Sequence, residues 1–325
     1  MNAKERFSET MNYGTPDRVP YFEEGIRKEV IKDWHKQGLP PGQYPDDIFL
    51  QDDFLEIQLD IDPLPDFDIW PSSVNQLDLL RERLNPNDPS RFPRDWQEII
   101  KKTYDEDTVV FLRVHHGFFQ SMGIHKWDRF YDVMFMILED PEFVHASMSI
   151  HGEFVAEFFD RVLQQINIDA AVFSEAIGGN EGPLVSPEMY EEFALEHYKP
   201  LLAVLDNHDV KIKICRTYAN SRILVPSLLK YGINCLWACE TNIESMDYVS
   251  LRNDFGKNLR LIGGIDLDAL RLGREAIAKE MRKVPVLLEG GGYIPLADGR
   301  IRKEIRFENY SYYRSLLEKI IAESS

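Results

Sequence analysis

Residues 210–216 read VKIKICR, residues 233–239 read INCLWAC, and residues 259–266 read LRLIGGID. Each is a short apolar run with β-branched residues, and the third stops at glycine. The spacing predicts strands over 210–215, 233–237 and 259–262, with helices over 220–230, 247–254 and 267–283 between and after them. The alternation extends upstream. Val109–Val114 reads as a strand ending in His115-His116-Gly117, and Ala170–Phe173 as one ending in Ser174-Glu175. Helices are expected over 125–139, 141–165 and 187–206, the last opening with a Ser186 cap and Pro187 in its first turn. Downstream, Val284–Leu288 is expected as a strand and 307–323 as a closing helix. Strands alternating with helices imply parallel βαβ units. The extended runs near 19–22 and 54–61 bring the strands to eight. The reading is therefore α/β: a TIM (β/α)8 barrel over residues 1–325 as one domain, with an N-terminal helical extension at residues 2–13.

Composition narrows the function classes. Of 325 residues, 37 are Lys or Arg and 55 are Asp or Glu, giving a net charge of −18. That charge opposes phosphate neutralisation, so no nucleic-acid partner is expected. No apolar run is long enough for a transmembrane helix, and the first residues lack the apolar stretch of a signal peptide. Cys215, Cys235 and Cys239 are an odd, sparse set, which fits a reducing cytoplasm. No Gly-x-Gly-x-x-Gly follows the first strand, so no nucleotide cofactor is expected.

Several segments together carry a resemblance. They are Lys4-Glu5-Arg6-Phe7, Pro16-Asp17-Arg18-Val19-Pro20, Gly182-Pro183-Leu184-Val185-Ser186-Pro187-Glu188-Met189-Tyr190 with Phe193, Gly263-Gly264-Ile265-Asp266, Gly291-Gly292-Tyr293-Ile294-Pro295 and Glu308-Asn309-Tyr310. In this order they resemble the uroporphyrinogen decarboxylase superfamily. The resemblance implies a TIM barrel with its site at the C-terminal ends of the strands. It also implies one of two chemistries. Tetrapyrrole decarboxylases of this superfamily carry N-terminal arginines in a Met-Arg-Gln-Ala-Gly-Arg segment. Here the stretch is Tyr21-Phe22-Glu23-Glu24-Gly25-Ile26-Arg27, whose acids would repel a polycarboxylate. Corrinoid-linked methyltransferases carry His-x-Cys and a distal Cys for zinc. Here Lys213-Ile214-Cys215 keeps the Cys, Lys replaces His, and the distal Cys is missing.

The expected function is methyl or one-carbon transfer, with a corrinoid protein as partner or a small methylated compound as substrate, and with zinc as a candidate cofactor. The alternatives are a cofactor-free decarboxylase of a carboxylic acid and a non-catalytic binding barrel. A homodimer is a further expectation. In a parallel barrel, residues just past each strand face the site. On that rule Glu175, His115, His116, Arg216 and Tyr293 are the catalytic candidates. Of the adjacent histidines, at most one is expected to face the pocket. Glu23, Glu24, Arg27, Asp266 and Glu289 are substrate-binding candidates, although Asp266 also suits a helix cap. Cys215, Cys239 and Glu240 are the metal candidates, with Arg216 expected to favour the Cys215 thiolate.

Overall fold

The computed structural model describes residues 1–125, 127–239, 241 and 246–324. Seven strands form one parallel sheet: β1 (Asp53–Gln58), β2 (Thr108–His115), β3 (Ala170–Glu175), β4 (Lys213–Tyr218), β5 (Cys235–Cys239), β6 (Arg260–Gly263) and β7 (Tyr293–Ile294). Their order in the sheet is their order in the chain, and every pairing is parallel. Crossover helices fill the intervals, as parallel pairing requires.

Side chains alternate along each strand, which creates two layers. Val109, Phe111, Val172, Ile214, Cys235, Trp237 and Ile262 share one buried cluster on the inner face. Leu112, Ala171, Phe173 and Cys215 belong to another, which packs outward on the helices. Helix Ala3–Met11 closes the lower end of the inner face with Phe7 and Met11. Phe111 sits at the centre of this plug, with the Phe54 ring at 4.8 Å, Phe7 at 5.3 Å, and Phe22 and Trp237 both at 6.3 Å. The lower interior is thus filled, and polar groups collect at the strand C-terminal ends. Below the plug, Asp52 joins Arg6 at 2.7 Å and Arg18 at 2.6 Å, so Arg18 secures the N-terminal segment.

Two close approaches depend on glycine. A Cβ on Gly152 would meet the His197 carbonyl at 2.2 Å, so helix Pro141–Leu163 lies directly against helix Glu196–Asn207. Gly117 has φ +93°, and a Cβ there would meet Glu175 Oε1 at 2.7 Å.

The structure corrects several expected boundaries. Val284–Leu288 lies inside helix Lys283–Gly290, with Val284 and Leu287 buried on one helical face. The strand begins only after Gly291-Gly292, at Tyr293. β4 starts at Lys213, not Val210, because pairing opens with Ala171 opposite Lys213. Segment 23–37 is helical only over Lys28–Trp34, since Gly25 has φ +113° and Ile26 bridges Ile301. Among the described residues no strand covers 19–22. Segment 21–26 instead bonds to both edges of the sheet region: Asp52 N–H donates to Tyr21 O at 3.0 Å, and Ile301 N–H to Gly25 O at 3.0 Å.

Candidate active site

The layer above the aromatic plug carries charge. Continuing the inward register from Phe54, Phe111 and Ile214 reaches Glu56, Arg113 and Arg216. Arg216 donates to both Glu56 carboxylate oxygens, at 3.0 and 2.7 Å. Arg113 donates to Glu56 Oε1 at 3.1 Å. The Arg216 side chain is only 4% exposed, Glu56 16% and Arg113 28%. Arg216 also lies 3.9 Å over the Trp237 ring, which supports a desolvated cation. Burial works against both charges. For Glu56 the two guanidiniums outweigh it and hold the carboxyl below its ordinary range. For Arg216 the carboxylate more than restores the charge.

This cluster is not internally satisfied. Arg113 Nε, Arg216 Nε and Trp237 Nε1 are buried N–H groups with no acceptor. Leaving such a donor unpaired costs about 1–3 kcal/mol. Glu24 and Tyr218 complete the surroundings, both within electrostatic reach of Arg216. Cys239 joins them from β5, its thiol donating to Glu24 Oε2 at 3.7 Å. Burial, and then Glu24, pushes that thiol up, so it stays protonated. Chemically, the arrangement gathers unpaired N–H donors and proton-bearing groups at one end of the sheet.

The structure places the sequence candidates unevenly. Arg216, Glu24 and Cys239 come together at the inner mouth. Glu175 points outward into the helix layer. It is 1% exposed and accepts bonds from Tyr190 (3.0 Å), Tyr198 (2.8 Å) and the Phe118 N–H (2.9 Å). Burial raises its pKa. His115 also turns outward, because the β2–β3 register shifts between Arg113 and His115 and sets it opposite Phe173. Its ring lies 4.1 Å from Tyr198, Nδ1 accepts from Gly117 N–H at 2.9 Å, and burial lowers its pKa well below the ordinary value. His116 is buried, with Nδ1 3.3 Å from Asp62.

Cys215 occupies the outer apolar layer, on the opposite face from its neighbour Arg216. Burial, then Glu175, pushes its thiol well up, so no guanidinium-stabilised thiolate forms. Because Cys215 and Cys239 lie on opposite faces of the sheet, they do not converge on one ion. Glu240 lies outside the described residues. Among the described residues, no group of three or more His, Cys, Asp or Glu side chains is placed to hold a metal. The described residues therefore do not fit the expected zinc site.

The others have structural partners. Tyr293 starts β7 and donates to Gly263 O at 3.0 Å. Glu23 accepts from Tyr313 at 2.7 Å and faces Arg314 at 3.6 Å, anchoring the closing helix Phe307–Ser324. Asp266 caps helix Leu267–Leu272, accepting from Asp268 N–H at 2.8 Å. Glu289 is exposed on helix Lys283–Gly290, below the sheet's active end. Arg27 is exposed and lines an outer cleft with Arg271 and Lys303. Sequence reasoning missed Glu56, Arg113, Tyr218 and Trp237. The available signal was a charged residue at an inward position of an otherwise apolar strand, as in TVVFLRVH at 108–115.

A curled parallel sheet with a filled lower interior and a charged upper end defines an enzyme architecture of the α/β-barrel kind. The chain belongs to the uroporphyrinogen decarboxylase (URO-D) family, whose model matches residues 123–295, more than half of the 325. A methyltransferase from Methanosarcina mazei is similar in structure, with a TM-score of 0.64, 12% identity, and 98% of this chain and 99% of that chain covered. No curated protein matches the chain. The family supports an enzyme of the uroporphyrinogen decarboxylase kind, and the structural likeness shows a shared fold.

Proposed function

We propose that the chain is a uroporphyrinogen decarboxylase-like enzyme acting on a small carboxylic acid, which Arg113 and Arg216 hold at the inner mouth. One observation carries the reading: a nearly buried Arg216, fixed by Glu56 and Trp237, with its own Nε and Trp237 Nε1 left as free donors. The reaction favoured is decarboxylation. The C–C bond to the carboxyl group breaks, CO2 leaves, and the bonding electrons remain on the substrate. The guanidiniums balance that developing negative charge inside a desolvated site, where preorganised cations act strongly. Tyr218 then supplies a proton to the carbanion. This chemistry uses only groups the chain itself supplies. A tetrapyrrole with many carboxylates is not the substrate proposed, since Glu24 and Glu56 stand at the mouth against only two guanidiniums.

A second reading is methyl transfer, favoured by the likeness to the Methanosarcina mazei methyltransferase. In that case a methylated acid occupies the same donors and a corrinoid-carrying protein is the partner. Cytoplasmic placement goes with either reading, in line with three unpaired cysteines. The test uses carboxyl-13C phenylmalonate and pyrrole-2-carboxylate, followed by NMR. Growth of the bicarbonate signal, lost in Arg216→Met, supports decarboxylation. Methylation of cob(I)alamin by a methylated acid, without bicarbonate release, moves the assignment to methyl transfer.

A further inference from the structure

An apolar pocket stands beside the charged mouth. It has a volume of about 250 Å³ and is lined chiefly by Phe119, Ile124, His125, Phe130, Ala176 and Leu184. An apolar cavity of about 150 Å³ is enough for a benzene ring. The Phe119 and Phe130 rings meet edge to face at 5.4 Å, forming a rigid wall.

Its distance from the arginines follows from the register. Arg216 pairs with Ser174 on β3, and Ala176 lies two residues further along the same chain. At about 3.3 Å per residue along the strand and about 4.8 Å between strands, the two backbones stand roughly 8 Å apart. A ring and a short linker span that separation. His116 lies within electrostatic reach of both Arg113 and the pocket residue His125.

From this juxtaposition we infer that the substrate is an amphipathic monocarboxylate, with its acid group on Arg113 and Arg216 and a compact aromatic or branched apolar body in the Phe119–Leu184 pocket. This rests on the carboxylate reading above and adds the body to it. Burying a ring-sized apolar body favours binding by a tenfold factor or more over a bare acid.

The experiment titrates the full chain by calorimetry with 3-phenylpropionate, acetate and 3-phenylpropan-1-ol. The variants are Leu184→Glu, at a position 40% exposed and so remote from the folding core, and Arg113→Gln. The expected result is 3-phenylpropionate binding at least about tenfold tighter than acetate. Leu184→Glu removes that advantage and leaves acetate unchanged, while Arg113→Gln weakens both acids. Equal affinities for the two acids, both weakened by Arg113→Gln, overturn the amphipathic class and leave the carboxylate reading standing. Acids that do not bind, that bind without regard to Arg113, or that bind no better than the alcohol, overturn the carboxylate reading itself.

Discussion

Glu56→Gln tests the charged mouth through stability. The carboxylate accepts two bonds from Arg216, one from Arg113 and one from Gln58 at 2.9 Å. Glutamine keeps one acceptor but removes the only negative charge bonded to two guanidiniums, one of them 4% exposed. Breaking a buried ion pair by removing one partner costs about 3–5 kcal/mol. The retained acceptor and the partial exposure of Arg113 put the expectation near the low end, about 3 kcal/mol. At about 2.1 cal/mol/K of unfolding entropy per residue, that corresponds for a chain of this size to a fall in Tm of about 4 °C. Urea unfolding at pH 7 measures it, with Arg216→Gln and the double variant completing a cycle. The double variant is expected to lose less than the sum of the singles by about 2 kcal/mol, within the range for contacting pairs. The pH dependence has a definite sign. Glu56 has its pKa lowered on folding, so its contribution is present above the unfolded carboxyl value and fades as pH falls. Glu56→Gln is expected to remove that part of the acid sensitivity. A loss below about 0.5 kcal/mol, the range of ordinary surface changes, with additive singles, would refute the buried-pair argument.

Other expectations follow from the same structure. Burial first raises Asp298 to about 6, against bonds from Thr241 and Leu267. A raised carboxyl stabilises below the unfolded value and loses that contribution as pH climbs to about 6, worth about 3 kcal/mol; Asp298→Asn should flatten the stability–pH slope between roughly 4 and 6. Cys215→Ser puts a hydroxyl in the outer apolar layer, so it should cost about 1–3 kcal/mol in urea unfolding while acetate affinity stays unchanged. Tyr293→Phe loses one bond to Gly263 O, about 1 kcal/mol, again with acid binding intact.

Local rules made much of the fold legible. Ser186-Pro187 announced a helix start, and Ser186 does accept from Met189 N–H. The Asp266 cap follows from its place before Leu267. The apolar runs located five strands, because β-branched residues cluster where both sheet faces are buried. Val284–Leu288 misled for the same reason. A buried helix and a buried strand look alike over five residues, and tertiary packing decided the matter. The site was harder. Projecting residues past strand ends assumes an unbroken alternation, and the shift between Arg113 and His115 reverses it on β2. Glu175 stayed in register yet on the outward phase, which a strand apolar on both faces does not reveal. Arg216 was named because the expected strand stopped at Cys215, whereas Glu56 and Arg113 fell inside the expected runs 54–61 and 109–114; all three stand two residues before the end of their observed strands.

The most direct measurement is a crystal structure of the protein with 4-bromobenzoate, using bromine anomalous scattering. The account predicts the carboxylate on the free donors of Arg113 and Arg216, with bromine directed toward Phe119 and Leu184. A ligand found instead among Arg27, Arg271 and Lys303, with the inner mouth untouched, would contradict it.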